Sequence, residues 1–463
     1  MFVGRKVEIK LIKDKLLDSN NQSIIVYGRR RVGKSRLIFE ALKDISANIV
    51  FYECYQSSYK DNLNSLTKEM QTIYKNQYLS FNSLEDIIIF MASQPKKNIL
   101  YIDEYPLMRQ DKSTDSLIKN ALDKIDLNDS LNNFKLILCG SSIDVMSILN
   151  DKDMPLHGRF TLNINLKPLN YLESSKFYSN NSNEDKILYY SVFGGIPYFL
   201  KQIDPKKSFR DNLIDLYIKE NALLKTELNN QILSEISKIE NANFILNIIN
   251  NKSISYTDIK SVFNNSYPNK SIDYALNKLI SLQIIEKHYS FSNNKTKKPY
   301  YKIKDNSFSF YYNYLYNVDS KLMLYSAQEY YKNFIEDDFL TQFVPKKFED
   351  ICEQFLRMGN KNNLFDFKLL DLYKYMFNDK TTRNNYEFDL VGETKNGLIN
   401  FECKYSKKPV SMKDIYIENN QANKVLNHFY KLAFISKSGY TKDVDKKEYI
   451  LFDLNDLFDT KIQ

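Results

Sequence analysis

The residues Tyr27-Gly28-Arg29-Arg30-Arg31-Val32-Gly33-Lys34-Ser35 carry the spacing G-x-x-x-x-G-K-S. Glycine at 28 and 33 lets a backbone pass close to a bulky anion without a Cβ collision. The N–H groups from Gly28 through Arg29, Arg30, Arg31 and Val32 to Gly33 would then face a phosphate chain, helped by the start of the next helix. Lys34 would reach the β- and γ-phosphates, and the Ser35 hydroxyl would hold Mg²⁺. Taken without its flanks, the stretch is a basic, glycine-containing turn. The flanks favour the phosphate reading: apolar Ile24-Ile25-Val26 precedes it and the amphipathic segment Arg36 to Leu42 follows, the strand–loop–helix order that such a loop needs.

A second set of groups completes that chemistry. Asn98-Ile99-Leu100-Tyr101-Ile102-Asp103-Glu104 is an apolar run ending in two carboxylates. At the C-terminal end of a buried parallel strand they lie on the edge where open α/β sheets bind ligands. Asp103 would hold Mg²⁺ through water, and Glu104 would activate the attacking water. After the run Lys135 to Gly140, Ser141 or Ser142 would hydrogen-bond the γ-phosphate or the attacking water, or else cap the next helix. Arg159, in Leu156-His157-Gly158-Arg159-Phe160, would stabilise phosphoryl charge or form a surface ion pair, and spacing alone does not choose.

A third set lies far downstream. Tyr386 to Val391 and Leu398 to Tyr405 read as two strands joined at Asn396-Gly397, a hairpin turn signal. Side chains alternate along a strand, so Glu402 and Lys404 share a face. A two-residue turn at Asn396-Gly397 would set Asp389 opposite Lys404 and diagonal to Glu402, within joint reach of a divalent ion. Two carboxylates, a metal and an adjacent lysine can activate water against a phosphodiester. Glu349, on a helical stretch around Phe348, Ile351, Cys352 and Phe355, would add a third carboxylate. The plain alternative is a solvated cross-strand Asp–Lys pair.

The elements that must position these groups follow in order. A helix over the first twenty residues presents Val7, Leu11, Ile12, Lys15 and Leu16 as a stripe. Strands are expected at 48–53, 98–104, 135–140 and 161–166, with helices near 60–75 and 83–93. Residues 171–230 read as helices. Three more helices (231–250, 255–263 and 270–282) precede two alternating runs around Ser292 to Lys298, the pattern of a winged helix-turn-helix. The aromatic stretch with Phe308, Phe310, Tyr311, Tyr312, Tyr314 and Tyr316 reads as packed helices in preference to a base-stacking platform. Beyond the hairpin, Lys424 to Leu432 reads as a helix, with strands at 433–436 and 449–452.

Composition bounds these readings. At 463 residues the chain holds about three domains, on a prior of ~150 residues each. It is 43% hydrophobic, enough for real cores, and its net charge of +8 is compatible with a nucleic-acid partner without arguing strongly for one. Cys54, Cys139, Cys352 and Cys403 are far apart and form no C-x-x-C pair, so buried thiols are expected, not zinc. No run of 18 apolar residues and no signal-type N-terminus is present, which places the chain in the cytoplasm, away from membranes.

Together, Phe2-Val3-Gly4-Arg5, the arginine-rich loop 28–35, Asp103-Glu104, Gly140-Ser141-Ser142, His157-Gly158-Arg159 and Gly194-Gly195-Ile196-Pro197-Tyr198 resemble the archaeal-type P-loop ATPases. These are AAA-related and grouped near the STAND signalling ATPases. The resemblance implies an α/β fold with a parallel sheet of order 5-1-4-3-2, ATP as the nucleotide, and a sensing or finger role for Arg159. It divides the chain into an ATPase core (1–170), a helical lid (171–230), a winged helix-turn-helix (231–305), aromatic connecting helices (306–345) and a last α/β module (346–463). In that module, Asp389…Glu402-x-Lys404 resembles the PD-(D/E)XK nuclease core, although Phe388 stands where the motif's proline would precede the aspartate. The expectation is an ATPase controlling a Mg²⁺- or Mn²⁺-dependent DNA nuclease. The alternative is a STAND-like, ATP-driven switch whose last module only binds DNA or a protein partner; the expected partners of the chain are ATP, DNA, and a protein partner or further copies in a homo-oligomer.

Overall fold

The computed structural model describes residues 2–109, 112–128, 130–131, 133–250, 253–263, 269–290, 298–379, 384–445 and 448–462. They form two compact units: Met1–Pro168 with Ile196–Tyr198, and Leu169–Gly195 with Phe199–Gln463.

The first unit is built on five parallel strands: β1 (Gln22–Tyr27), β2 (Asn48–Glu53), β3 (Asn98–Asp103), β4 (Phe134–Gly140) and β5 (Leu162–Asn165). Their order is β2-β3-β4-β1-β5. Read from the other edge this is 5-1-4-3-2, as expected. Strands β1, β3 and β4 are buried along their whole length, which is why they read as continuous apolar runs. Alternation divides their side chains between two cores. Ile24, Val26, Ile99, Tyr101, Ile137 and Cys139 pack with Leu37, Ile38 and Ala41 of the Lys34–Leu42 helix and with Ile12 and Leu16. Ile25, Leu100, Ile102, Leu136 and Leu138 pack on the other face with helices Tyr59–Ile73, Leu84–Ala92 and Lys112–Asp126. The first helix, Lys6–Leu17, departs from the expected stripe. Val7 and Leu11 are 67% and 43% exposed, because the helix packs through Ile9, Ile12 and Leu16, a face turned away from them.

In the second unit, helices Ala242–Ile249, Tyr256–Val262 and Asn269–Ser281 accompany a small antiparallel sheet. It contains β6 (Ile254–Ser255), β7 (Ile285–Ser290) and β8 (Lys298–Ile303) in the order β6-β8-β7. The lysine-bearing tip expected from Ser292 to Lys297 lies outside the described residues. Phe308, Phe310, Tyr311, Tyr312 and Tyr314 are buried on the Asn306–Tyr314 helix, so they form core and no stacking platform.

The C-terminal sheet holds β9 (Asp371–Asp379), β10 (Asn384–Thr394), β11 (Gly397–Lys404), β12 (Phe429–Ser436) and β13 (Ile450–Asp453), in the order β13-β12-β11-β10-β9. Pairing is antiparallel from β9 to β11 and parallel from β11 to β13. Helix Val344–Lys361 packs Phe348 on Tyr405 and Phe355 on Phe452, with ring centroids 5.4 and 5.0 Å apart. Ala422 and Val425 of helix Met412–Val425 pack with Phe388 and Val391.

This sheet departs from expectation in three places. Strand β9 went unread. The stretch Lys424 to Leu432 is not a helix: the helix ends at Val425 and β12 starts at Phe429. The hairpin turn is Lys395-Asn396, because Thr394 pairs with Gly397, whose φ of 130° suits glycine. All four cysteines are buried and free. Among the described residues, no helix is long and apolar enough to cross a membrane.

Candidate functional site

The C-terminal edge of the first sheet gathers the groups of the N-terminal motifs. Gly28 follows β1 so closely packed that a Cβ would collide with the Leu166 carbonyl oxygen. Arg31 and Gly33 have φ of 67° and 95°, left-handed conformations that curl the loop into the helix start. Val32 is 1% exposed and anchors the loop in the core. The Lys34 ammonium donates to the carbonyls of Gly28 and Arg29 at 3.0 and 3.2 Å, inside the loop it closes. Ser35 Oγ donates to Asp103 Oδ2 at 2.6 Å, so the two predicted Mg²⁺ groups are adjacent. An oxygen donor set of hydroxyl and carboxylate suits that ion.

Asp103 is 4% exposed and accepts a second bond, from Tyr101 Oη at 2.8 Å. Burial and the Asp103 charge both push the Tyr101 phenol far up, so it stays a donor. Tyr101 was missed, yet it sits two residues before Asp103, where strand alternation puts both on one face. Glu104 leaves the strand at φ 49° and turns its carboxylate to β4, where Oε2 accepts from the Ser141 N–H at 3.1 Å and Ser141 Oγ at 2.8 Å. Ser141 therefore holds Glu104. Ser142 is the residue before the Ile143–Ile148 helix, but its side chain makes no capping bond there.

Arg159 is not brought to this edge. It precedes β5, and Thr161 bonds Ser23 at the start of β1, so Arg159 lies at the opposite end of the sheet. A strand of β1's length separates the ends by ~20 Å. Its Nε lies 2.7 Å from Asp123, whose carboxyl is held low by Lys119 and Arg159 against the effect of burial. Of the two readings, the ion pair is the one formed.

The Gly194-Gly195-Ile196-Pro197-Tyr198 stretch does reach the loop. Gly194 ends helix Asn183–Phe193 at φ 59°, and a Cβ at Gly195 would overlap the Leu169 carbonyl. Ile196–Tyr198 then belongs to the first unit. There Pro197 lies against Gly33, and the Arg31 guanidinium lies 4.3 Å from the Tyr198 ring centroid.

The second constellation converges on the C-terminal hairpin. Leu390 pairs with Phe401, so one further step brings Asp389 level with Glu402, where the expected turn would have made them diagonal. The β10–β9 register slips between Phe388 and Val391, a bulge at Asp389-Leu390 that re-aims the aspartate. Asp389 Oδ2 accepts from the Cys403 N–H at 2.8 Å. Lys404 Nζ lies 2.6 Å from Glu402 and 3.2 Å from Glu418 of helix Met412–Val425, a residue that no sequence spacing marks as its partner. Burial raises the Asp389 carboxyl strongly, and the Glu402 and Glu349 charges raise it further. Burial likewise raises Glu402, with Lys404 opposing. Two buried acids whose carboxyls are both raised would be relieved by a cation between them, so the donor pair fits a divalent ion. Glu349 does not complete a set of three, because its carboxylate is ion-paired with Lys374 of β9. Among the described residues, no three His, Cys, Asp or Glu side chains are grouped to hold a metal.

Comparison with known proteins matches residues 2–203 to the family described as an ATPase domain predominantly from Archaea. Residues 311–425 match a family of archaeal and bacterial proteins of unknown function. An uncharacterized protein of Methanocaldococcus jannaschii is 28% identical over 98% of this chain and 100% of its own length. An uncharacterized ATP-binding protein of the same organism is 46% identical over 44 residues, 10% of this chain and 75% of its own. Among solved structures, the Walker-type ATPase of Pyrococcus abyssi covers 67% of this chain and 96% of its own, with TM-score 0.49 and 16% identity.

Proposed function

We propose that the chain, whose residues 2–203 match a family described as an ATPase domain predominantly from Archaea, hydrolyses ATP at the edge formed by β1, β3 and β4 and uses that cycle to control a nuclease-like C-terminal module. The observation that carries the first half is the convergence of Lys34, Ser35, Asp103 and Glu104 on that edge, with Glu104 aligned by Ser141. Loop N–H groups and Lys34 bind the phosphates, which replace the carbonyls of Gly28 and Arg29 as acceptors for the ammonium. Glu104 takes the proton of the attacking water, and Ser141 fixes its orientation. A divalent cation on Ser35 and Asp103 supplies charge neutralisation when bound.

The second half rests on the hairpin. The bulge at Asp389, the level Glu402 and the adjacent Lys404 are the parts that phosphodiester hydrolysis needs, and a PD-(D/E)XK-like module over 346–463 is the reading they support. Lys404 orients Glu402 and a scissile phosphate. A divalent cation between the two acids supplies Lewis acidity when bound. The three helices and antiparallel sheet of 231–305 support a winged helix that presents DNA to it, and 171–230 a helical lid. The test is incubation of pure protein with plasmid and single-stranded DNA, with and without ATP and Mn²⁺. Cleavage should vanish in Glu402→Ala with ATP binding intact, and ATP binding should vanish in Lys34→Ala. Cleavage unchanged in Glu402→Ala refutes the nuclease half.

The double engagement of Lys404 by Glu402 and Glu418 favours a second reading, in which the acids are a structural network and the module only binds DNA or a protein partner. In that case no divalent metal elicits cleavage, and Lys34→Ala abolishes partner binding.

A further inference from the structure

The second unit holds a cavity of about 270 Å³ whose lining includes four lysines and three acidic residues. Most of that charge is already matched. Lys302 lies 2.7 Å from Asp350 and 3.0 Å from Glu286, and Lys374 is paired with Glu349. Among the buried charges of the lining, Lys347 is the exception. It is 5% exposed, and among the described residues its ammonium has no carboxylate within ion-pair reach and no hydrogen-bond acceptor; it lies 5.5 Å from the Phe343 ring centroid. Two further polar atoms of the lining are buried without a partner, Ser309 Oγ and Asn250 Oδ1.

Each orphan is costly. A buried polar group without a partner destabilises the fold, and an unpaired buried charge does so more strongly. Their chemistry describes what would relieve them. Lys347 and Ser309 are donors in need of acceptor oxygens, and an ammonium prefers an anionic one. Asn250 Oδ1 is an acceptor in need of a hydroxyl or amine. The volume is that of ~9 waters at ~30 Å³ each, too large for one small ion and just below the usual small-molecule range of ~300–1,000 Å³. The polar lining excludes an acyl chain.

We infer that this cavity binds a phosphate monoester carrying hydroxyl groups, its phosphate on Lys347 and Ser309 and a hydroxyl on Asn250. Such a group arrives either as a free sugar phosphate or as the 5′-phosphate end of a nucleic acid. The cavity shares no residue with the phosphate loop, and the proposal does not rest on the nuclease reading.

The test is calorimetric titration of the full chain, its phosphate loop saturated with a non-hydrolysable ATP analogue. The probes are ribose 5-phosphate, and a short oligonucleotide with either a 5′-phosphate or a 5′-hydroxyl. Binding of ribose 5-phosphate identifies the free source. Binding of only the 5′-phosphorylated oligonucleotide identifies the nucleic-acid source. In either case Lys347→Met weakens the phosphorylated probe at least tenfold, and Ser309→Ala weakens it less. Lys347→Met should melt no lower than wild type, since it removes an unpaired buried charge; if it does not fold, Ser309→Ala carries the comparison. The proposal is overturned if no phosphorylated probe binds, if the 5′-hydroxyl oligonucleotide binds as well as the phosphorylated one, or if the substitutions leave affinity unchanged.

Discussion

Glu104 is placed by its own left-handed backbone and by the two donors of Ser141. If it is the base for the attacking water, Glu104→Gln keeps the shape and loses the proton acceptor. Hydrolysis should fall ~10²–10⁴-fold while nucleotide affinity holds, measured by phosphate release beside a binding titration. Ser141→Ala keeps the N–H donor at 3.1 Å and loses the hydroxyl at 2.8 Å, so a smaller loss, of about tenfold, is expected in kcat and little in binding. These residues were legible because each lies in a short contiguous motif at a strand end. Lys374 and Glu418 were not: they reach Glu349 and Lys404 from β9 and from helix Met412–Val425, and no spacing in the sequence encodes that meeting.

Elements set what the motifs alone left open. The hairpin shows how: one shift of the turn from Asn396-Gly397 to Lys395-Asn396 keeps every side chain on its face but turns a diagonal acid pair into a level one. The five-stranded sheet was readable because β1, β3 and β4 are apolar throughout, whereas β9, with Asp371, Tyr373 and Lys374 among its residues, has no such run. Strand β7 yields a pH prediction. His288 stacks on Tyr300 with ring centroids 6.1 Å apart, and neither ring nitrogen has a partner. Burial, then the Lys302 charge, lowers it from 6.5 to about 4. Between those values the unfolded chain binds a proton and the folded chain does not, so stability should decline as pH falls from 6.5 through 4, by up to ~1.4 kcal/mol per unit. Urea denaturation at several pH values checks it, and His288→Phe should flatten the curve in that window. Gly195→Ala should be far more damaging, since its Cβ has no space beside Leu169; a drop of several degrees in Tm or loss of soluble protein is expected.

On the scale of the molecule, two compact units predict two calorimetric transitions. An ATP analogue with Mg²⁺ at about a hundred times its Kd should stabilise the first unit by ~2.7 kcal/mol, and Lys34→Ala should abolish that shift. Motif order put a break near 170 and the whole Gly194 to Tyr198 stretch in a separate lid, whereas Ile196–Tyr198 belongs with the first unit. Physics gave that stretch only a helix stop and a turn; its contacts with Gly33 and Arg31 depend on a chain path that returns from Gly195. The return has a consequence for biosynthesis. When Pro168 leaves the ribosome, the first unit still lacks Ile196–Tyr198, which follow only after the 27 residues 169–195. At ~5–20 residues per second the delay is ~1–5 s. For that interval the nascent phosphate loop lacks the proline that packs on Gly33 and the ring that meets Arg31, so its final form must wait for chain that belongs to the other unit.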